Sequence, residues 1–326
     1  MVSQTAFGLA LGNFTPDPQV PEPARILAYA ERAESLGFDS VWAWDHIMLG
    51  SKRPFPFLES LTVLGAIAAR TTRVRLGTGV LVLPLRNPIV LAKVTSTLDH
   101  LSGGRLLLGV AAGWYEKEFE ACGIPFADRG RIFERNLDLL YRCWTERELN
   151  AEVDGMRLRR AVMLPQPVQR PRPTVLIGGY VDRVLRRVAS KGDGWLTYFY
   201  PPDAFRESWS RILAFAQDAG RDPAELTNAA QLPICVADTY EEADRRVRSF
   251  MDGFFDVPPW SNATLESAIR GTPEQCAEQV AAQIAAGVQE IVFAPDLYDP
   301  DQVERIASEV LPIVRGASVS EGDPAR

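Results

Sequence analysis

The chain has 326 residues, 46% of them hydrophobic and 24% charged, with a formal net charge of −7. That composition supports a large buried core, and its acidic balance argues against nucleic acid or an anionic membrane as the main partner. Only two histidines exist, His46 and His100, which excludes a multi-histidine metal centre, and no metal site is expected.

The chain alternates short β-rich runs with longer stretches of helical period. The N-terminus, MVSQTAFGLALGNF, lacks the basic start and cleavage site of a signal peptide, and Thr5 to Gly12 reads as a first strand. A Pro-initiated helix, PEPARILAYAERAESLG, closes at Gly37, and FDSVWAWDH is a second strand ending at His46. Helix PFLESLTVLGAIAARTT, strand VRLGTGVLVLP, helix NPIVLAKVTSTLDHLSGG and strand RLLLGVAAG follow. Residues 114–128 form a longer connection before the helix RGRIFERNLDLLYRCWTE. Residues 147–172 are an excursion, with a hairpin at AEVDGMRLRR and the Pro-rich LPQPVQRPRP. Alternation resumes with strand TVLIGG, helix DRVLRRVASKG, strand GWLTYFY and helix DAFRESWSRILAFAQDAG. Strand LPICVAD, a helical stretch, a loop at VPPWSNAT and helix TPEQCAEQVAAQIAAG lead to strand EIVFAP and helix DPDQVERIASEVLPIV.

Eight strands alternating with helices imply a parallel sheet, and eight units favour closure into an α/β (β/α)8 TIM barrel with insertions in the loops of its C-terminal face. A dinucleotide fold would want G-x-G-x-x-G after the first strand, and GLALGNF does not supply it. One domain is expected over residues 1–316, with a polar tail over 317–326. No apolar run approaches the ~20 residues that span a bilayer. Cys122, Cys143, Cys235 and Cys276 show no CxxC spacing and fit buried thiols in a reducing compartment, so a cytoplasmic location is expected.

In such barrels the chemistry sits at the C-terminal strand ends. His46 is the histidine at a strand exit; it suits general acid–base work, or equally a structural role pinned by Asp45. His100 lies inside a helix and reads as structural. In LGTGV, Gly77, Thr78 and Gly79 remove bulk where a ligand approaches the backbone or the strand bulges. Gly178 and Gly179 precede a helix start, an arrangement that offers N–H groups to an anion. Asp182 there reads as an N-cap or as a charge opposed to phosphate, and Arg183, Arg186 and Arg187 as compensation or as a solvated face.

Together the segments resemble the luciferase-like monooxygenase family of flavin- and deazaflavin-dependent oxidoreductases. The resemblance rests on DSVWAWDH, on TRVRLGTGVLVLPLRNPIVLAKVTSTLDHLSGGRLLLGVAAGW, on IPFADRGRIFERNLDLL, on TVLIGG with ASKGDGW, and on GTPEQCAEQVAAQIAAGVQEIVF, in family order. The pattern looks most like the deazaflavin (coenzyme F420) subgroup. The resemblance implies a bulge with a non-prolyl cis peptide at Gly79-Val80, backing the cofactor ring. It also implies a phosphate site at Gly178, Gly179, Tyr180 and Val181, with Thr78 and Ala112 as further cofactor contacts. His46 matches the histidine at the reacting edge, and Trp44, Trp114 and Tyr198 would wall a substrate pocket. The sugar- and alcohol-oxidising branch has a tryptophan four residues after that histidine and a glutamate beyond strand four; this chain has Gly50 and Trp114 there, against that activity.

The expected reaction is hydride transfer between reduced coenzyme F420 and a small organic substrate. One alternative is an FMN-dependent monooxygenase that uses oxygen and a partner flavin reductase; another is a flavin-binding paralogue without turnover. The resemblance further implies a homodimer. Specificity is expected in loops 48–57, 114–128 and 252–270, where Phe55, Phe57, Phe254, Phe255 and Trp260 suggest an apolar ligand or a packed lid.

Overall fold

A computed structural model describes residues 5–16, 20–50, 55–254 and 263–320. β1 (Ala6–Ala10) pairs in parallel with β2 (Ser40–Ala43), β2 with β3 (Arg75–Thr78), and β3 with β4 (Leu106–Ala111). The order continues through β5 (Thr174–Gly178), β6 (Gly194–Tyr198), β7 (Thr227–Val236) and β8 (Glu290–Pro295). β8 returns to β1, with Phe293 opposite Leu9, and closes an eight-stranded parallel barrel.

Helices cover the outside: α1 (Pro23–Ser35), α2 (Ser60–Ala68), α3 (Pro88–Ser102), α4 (Arg129–Thr145), α5 (Asp182–Lys191), α6 (Pro202–Asp218), α7 (Tyr240–Phe254) and α8 (Pro273–Ala285). The starts of α3 and α8 are written locally. The Asn87 side chain accepts from the N–H groups of Ile89 and Val90 ahead of Pro88, and Thr272 and Gln275 cap α8 reciprocally. Gly103, at φ +67°, ends α3 in the left-handed conformation that glycine adopts without a Cβ penalty.

Several boundaries differ from the sequence expectation. The predicted third strand breaks at Gly79-Val80 and resumes at Leu81–Val82 beside β4. β7 starts at Thr227, five residues before the predicted LPICVAD, because its polar Asn228 and Gln231 are buried and disguise the strand. A short helix, Glu116–Ala121, occupies the predicted connection, and Ile269–Gly271 adds an edge strand to β7. The closing helix runs through Pro300–Arg305, a π-turn at Ile306–Val310 and Leu311–Ser320, four residues into the stretch read as a tail. The hairpin stands at Leu149–Val153 and Met156–Ala161. Phe255 and Trp260, residues 51–54 of the first specificity loop and 321–326 of the tail lie outside the described residues.

Side chains fill the barrel rather than leaving a pore. Trp42, Leu107, Leu176, Leu196, Ala229 and Val292 form its inner cluster. Trp42 takes the room left by Gly77, where a Cβ would stand 2.3 Å from the indole, and its Nε1 donates to Ser40 Oγ at 2.8 Å. The first glycine of LGTGV therefore serves packing; only the second reaches a cavity. No described helix is long and apolar enough to cross a membrane.

Candidate active site

A cavity of about 410 Å³ opens at the C-terminal ends of β2 to β6. It gathers the predicted His46, Trp44, Gly79, Val80, Ala112, Gly178, Gly179, Tyr180, Val181, Trp114 and Tyr198 into one wall set. Thr78 stands apart: it is fully buried, and its Oγ1 donates to the Gly109 carbonyl at 2.7 Å, so it ties β3 to β4 behind the cavity.

The Gly79-Val80 peptide is cis. Behind it lies the buried Gln231 of β7, whose Oε1 would be 3.0 Å from a Cβ at position 79. The peptide is thus packed from the barrel interior and bare toward the cavity. Opposite, a Cβ on Gly178 would stand 3.1 Å from Val80 Cγ1 and 3.6 Å from Ala111 Cβ. Backbone and methyl groups make a flat surface here, suited to the face of a planar ring.

His46 comes off the end of β2 half-buried between the rings of Trp114 (5.6 Å) and Phe57 (5.4 Å). The sequence offered Asp45 as its pin, and the structure assigns that part to Glu118. The Glu118 carboxylate bonds His46 Nδ1 at 3.0 Å and accepts from the amides of Ile47 and Met48. Asp45 turns away, accepting from Ser60 Oγ, Arg86 and the Val82 amide. Burial pushes its carboxyl above the usual range, opposed by the Arg86 guanidinium and the Val82 amide. Asp45 therefore anchors the chain just after the cis peptide. His100 bonds the Gln166 carbonyl through Nε2 at 2.8 Å, a structural contact as read.

The far end of the cavity is cationic. Gly179, at φ +131°, is fixed by Trp195 Nε1 donating to its carbonyl at 2.9 Å, and the chain then enters α5. First-turn N–H groups of a helix have no intrahelical acceptor and carry the positive end of its dipole. Arg183, Arg187 and Arg129 line the same end. Arg187 is neutralised by Glu134 at 2.6 Å, whereas Arg129 lies over the Phe126 ring, and neither it nor Arg183 meets a carboxylate among the described residues. Arg186 instead stacks on Phe215. Asp182 does not cap α5; Val181 holds the N-cap position, and Asp182 pairs outward with Arg211, removing the opposing charge. Tyr180 brackets β6, its hydroxyl donating to the Tyr198 carbonyl at 2.7 Å and accepting from the Tyr198 amide at 2.8 Å.

Sequence reasoning missed Glu118 and Arg129. Both come from the connection after β4 and the start of α4, where an acidic run (EKEFEA) and a helix-opening arginine look like solvated surface. The one local signal was Phe119, the buried apolar residue beside Glu118.

A family profile described as Luciferase-like monooxygenase matches residues 5–266. An F420-dependent glucose-6-phosphate dehydrogenase of Amycolatopsis mediterranei is 26% identical over 325 residues, covering 90% of this chain and 95% of its own. An FMNH(2)-dependent dimethylsulfone monooxygenase of Pseudomonas putida is 26% identical over 290 residues, 79% of this chain and 78% of its own. Among solved structures, monooxygenase RslO1 of Streptomyces bottropensis superposes with a TM-score of 0.82 at 23% identity, over 94% of this chain and 99% of that one. Relatives thus use either F420 or FMN. With the closed barrel and a profile match over most of its length, this chain belongs to the luciferase-like monooxygenase family of oxidoreductases.

Proposed function

We propose that the protein transfers hydride between reduced coenzyme F420 and a small organic substrate at the mouth of the barrel. The residues fit such a group: a surface of backbone and small apolar side chains at Gly79-Val80, Ala112 and Gly178 for the ring, and the α5 amides with Arg129 and Arg183 for a phosphate. When bound, the cofactor supplies the hydride, and the protein contributes positioning and electrostatics. His46 holds the proton that accompanies the hydride. Its Nδ1 is committed to Glu118, which leaves Nε2 as the ring nitrogen for the reacting group. Trp44, Trp114 and Tyr198 exclude water and shape the substrate's place.

One observation favours F420 over FMN. The cationic end continues beyond the phosphate position: a groove shares Arg183 and Arg187 with the cavity and runs along α5. Along it Arg183 and Arg186 meet no carboxylate among the described residues, while Glu134 pairs with Arg187, Asp138 with Lys191 and Asp182 with Arg211. FMN ends at its phosphate, whereas F420 extends beyond it as an anionic oligoglutamate tail. Fluorescence titration with each cofactor tests the choice. Tighter binding of F420, weakened by Arg186→Glu, is expected. Tight FMN binding with substrate-dependent oxygen uptake would instead place the chain with the FMN-dependent monooxygenases, served by a flavin reductase.

We also propose a homodimer. Val90, Val94 and Leu101 form an exposed apolar stripe on α3, and Val162, Leu164 and Val168 extend it. Ser96 Oγ, bonded to the Pro165 carbonyl, holds the two parts together. Light scattering should give twice the chain mass, and Val94→Glu with Leu101→Glu should yield the monomer.

A further inference from the structure

At the barrel mouth β2 outruns its neighbour β1. The Leu11 N–H donates to the Trp42 carbonyl at 2.8 Å, the last main-chain rung between the two strands among the described residues. Trp44, two residues on and 7% exposed, still needs partners for its main-chain groups. The side-chain amide of the fully buried Asn13 supplies both. Its Oδ1 accepts from the Trp44 N–H at 2.9 Å, and its Nδ2 donates to the Trp44 carbonyl at 2.9 Å. Nδ2 also donates to the Leu58 carbonyl at 3.0 Å, and the Leu58 N–H returns to the Asn13 carbonyl at 2.9 Å.

A side-chain amide is a peptide group in miniature, with donor and acceptor in one plane. Asn13 therefore completes the β2 edge as a further residue of β1 would. Among side chains of this size only asparagine can: aspartate has no N–H, and leucine has neither group. Asp45 and His46 continue from the held main chain, and beyond them Glu118 takes the amides of Ile47 and Met48. His46 thus hangs between two side-chain grips. Asn13 also holds the neighbouring wall. Leu58 follows Phe57, whose ring stacks on Phe14 at 4.7 Å and meets the His46 imidazole at 5.4 Å. Phe14 in turn meets Trp44 edge-on at 5.8 Å.

We propose that Asn13 is a positioning residue of the active site. By gripping the Trp44 main chain it fixes the direction in which β2 delivers His46, and through Leu58 it seats the Phe57 ring beside the imidazole. Asn13 is not part of the cavity wall and acts only through these neighbours. The inference rests on His46 serving the reaction, as proposed above, and adds what holds it there.

The test is long-range proton–nitrogen correlation NMR of the imidazoles in the full chain, without cofactor or substrate. His46 and His100 are the two histidines, so His100 is the internal control. In wild type the neutral His46 ring should show one tautomer, protonated at Nδ1 toward Glu118. Asn13→Asp and Asn13→Ala should move both His46 nitrogens toward the tautomer-averaged position and leave His100 in place. Hydrogen exchange at the Trp44 amide should become about tenfold faster. Asn13→Ala leaves room for water at the Trp44 groups and carries the test where the buried aspartate prevents folding. A folded variant with a wild-type His46 signal, even one with a lowered melting temperature, would reduce Asn13 to a fold residue and overturn the proposal. The readout is separate from the cofactor assignment, which the fluorescence titrations test, and from the part given to His46, which turnover of His46→Ala tests.

Discussion

The Glu118 carboxylate, 1% exposed, holds His46 through Nδ1 at 3.0 Å and also takes the backbone amides of Ile47 and Met48. One side chain from the connection after β4 thus fixes both the imidazole and the main chain leaving β2. A buried carboxylate that accepts several N–H groups is an acceptor by geometry, so the ring donates from Nδ1. His46→Ala should lower kcat by about 10²- to 10⁴-fold, with cofactor affinity unchanged in fluorescence titration. Unchanged turnover with intact cofactor binding would remove His46 from the reaction.

Glu118→Ala should lower kcat and also destabilise the fold, by about 3–5 kcal/mol, since buried donors lose their charged acceptor. Glu118→Gln keeps an acceptor and should lose about tenfold in kcat while KM stays near wild type. A KM effect alone would mean that Glu118 shapes only the loop.

Gly178→Val should weaken cofactor binding by about 5- to 150-fold, because added bulk would press on Val80 and Ala111 at the flat wall. Gly77→Ala should act differently. It strikes Trp42 in the barrel interior and lowers the melting temperature instead. Titration and thermal denaturation of the pair separate a glycine that lines the cavity from one that packs the barrel interior.

Arg183→Ala should cost about 1.5–3 kcal/mol of cofactor affinity, one charge-assisted contact, with the loss shrinking as salt rises. Equal affinity for wild type and variant at low salt would move the anion site elsewhere.

Glu34 accepts the amides of Thr72, Arg73 and Val74 just before β3. Burial pushes its carboxyl up, but these amides and the Arg73 guanidinium outweigh it and hold it below the usual range. The stabilisation is therefore complete above the unfolded value of about 4.3 and is lost as pH falls through the lower folded value. Glu34→Gln should cost about 1 kcal/mol near neutral pH, discounted for partial exposure, and progressively less below about pH 4, in paired denaturant melts.

Much of the barrel was legible because its strands are buried on both faces and punctuated by caps that work locally, as at Asn87, Gly103 and Thr272. The legibility failed where burial is polar. β7 hides Asn228 and Gln231 within a strand, and the short helix at Glu116–Ala121 buries a glutamate. The strand-exit residues could be named from the order of the strands, and all but Gly77 and Thr78 of those named meet in one cavity.

The sequence by itself determined the alternation of strand and helix, the closing glycines and the family pattern, since each depends on neighbours within a few residues. Only the tertiary structure decided which partner each polar group takes: His46 with Glu118 over 72 residues, Asp45 with Arg86 over 41, Asp182 with Arg211 over 29. Such pairings depend on where barrel closure sets two distant loops side by side, and hydrophobic periodicity carries no record of that distance.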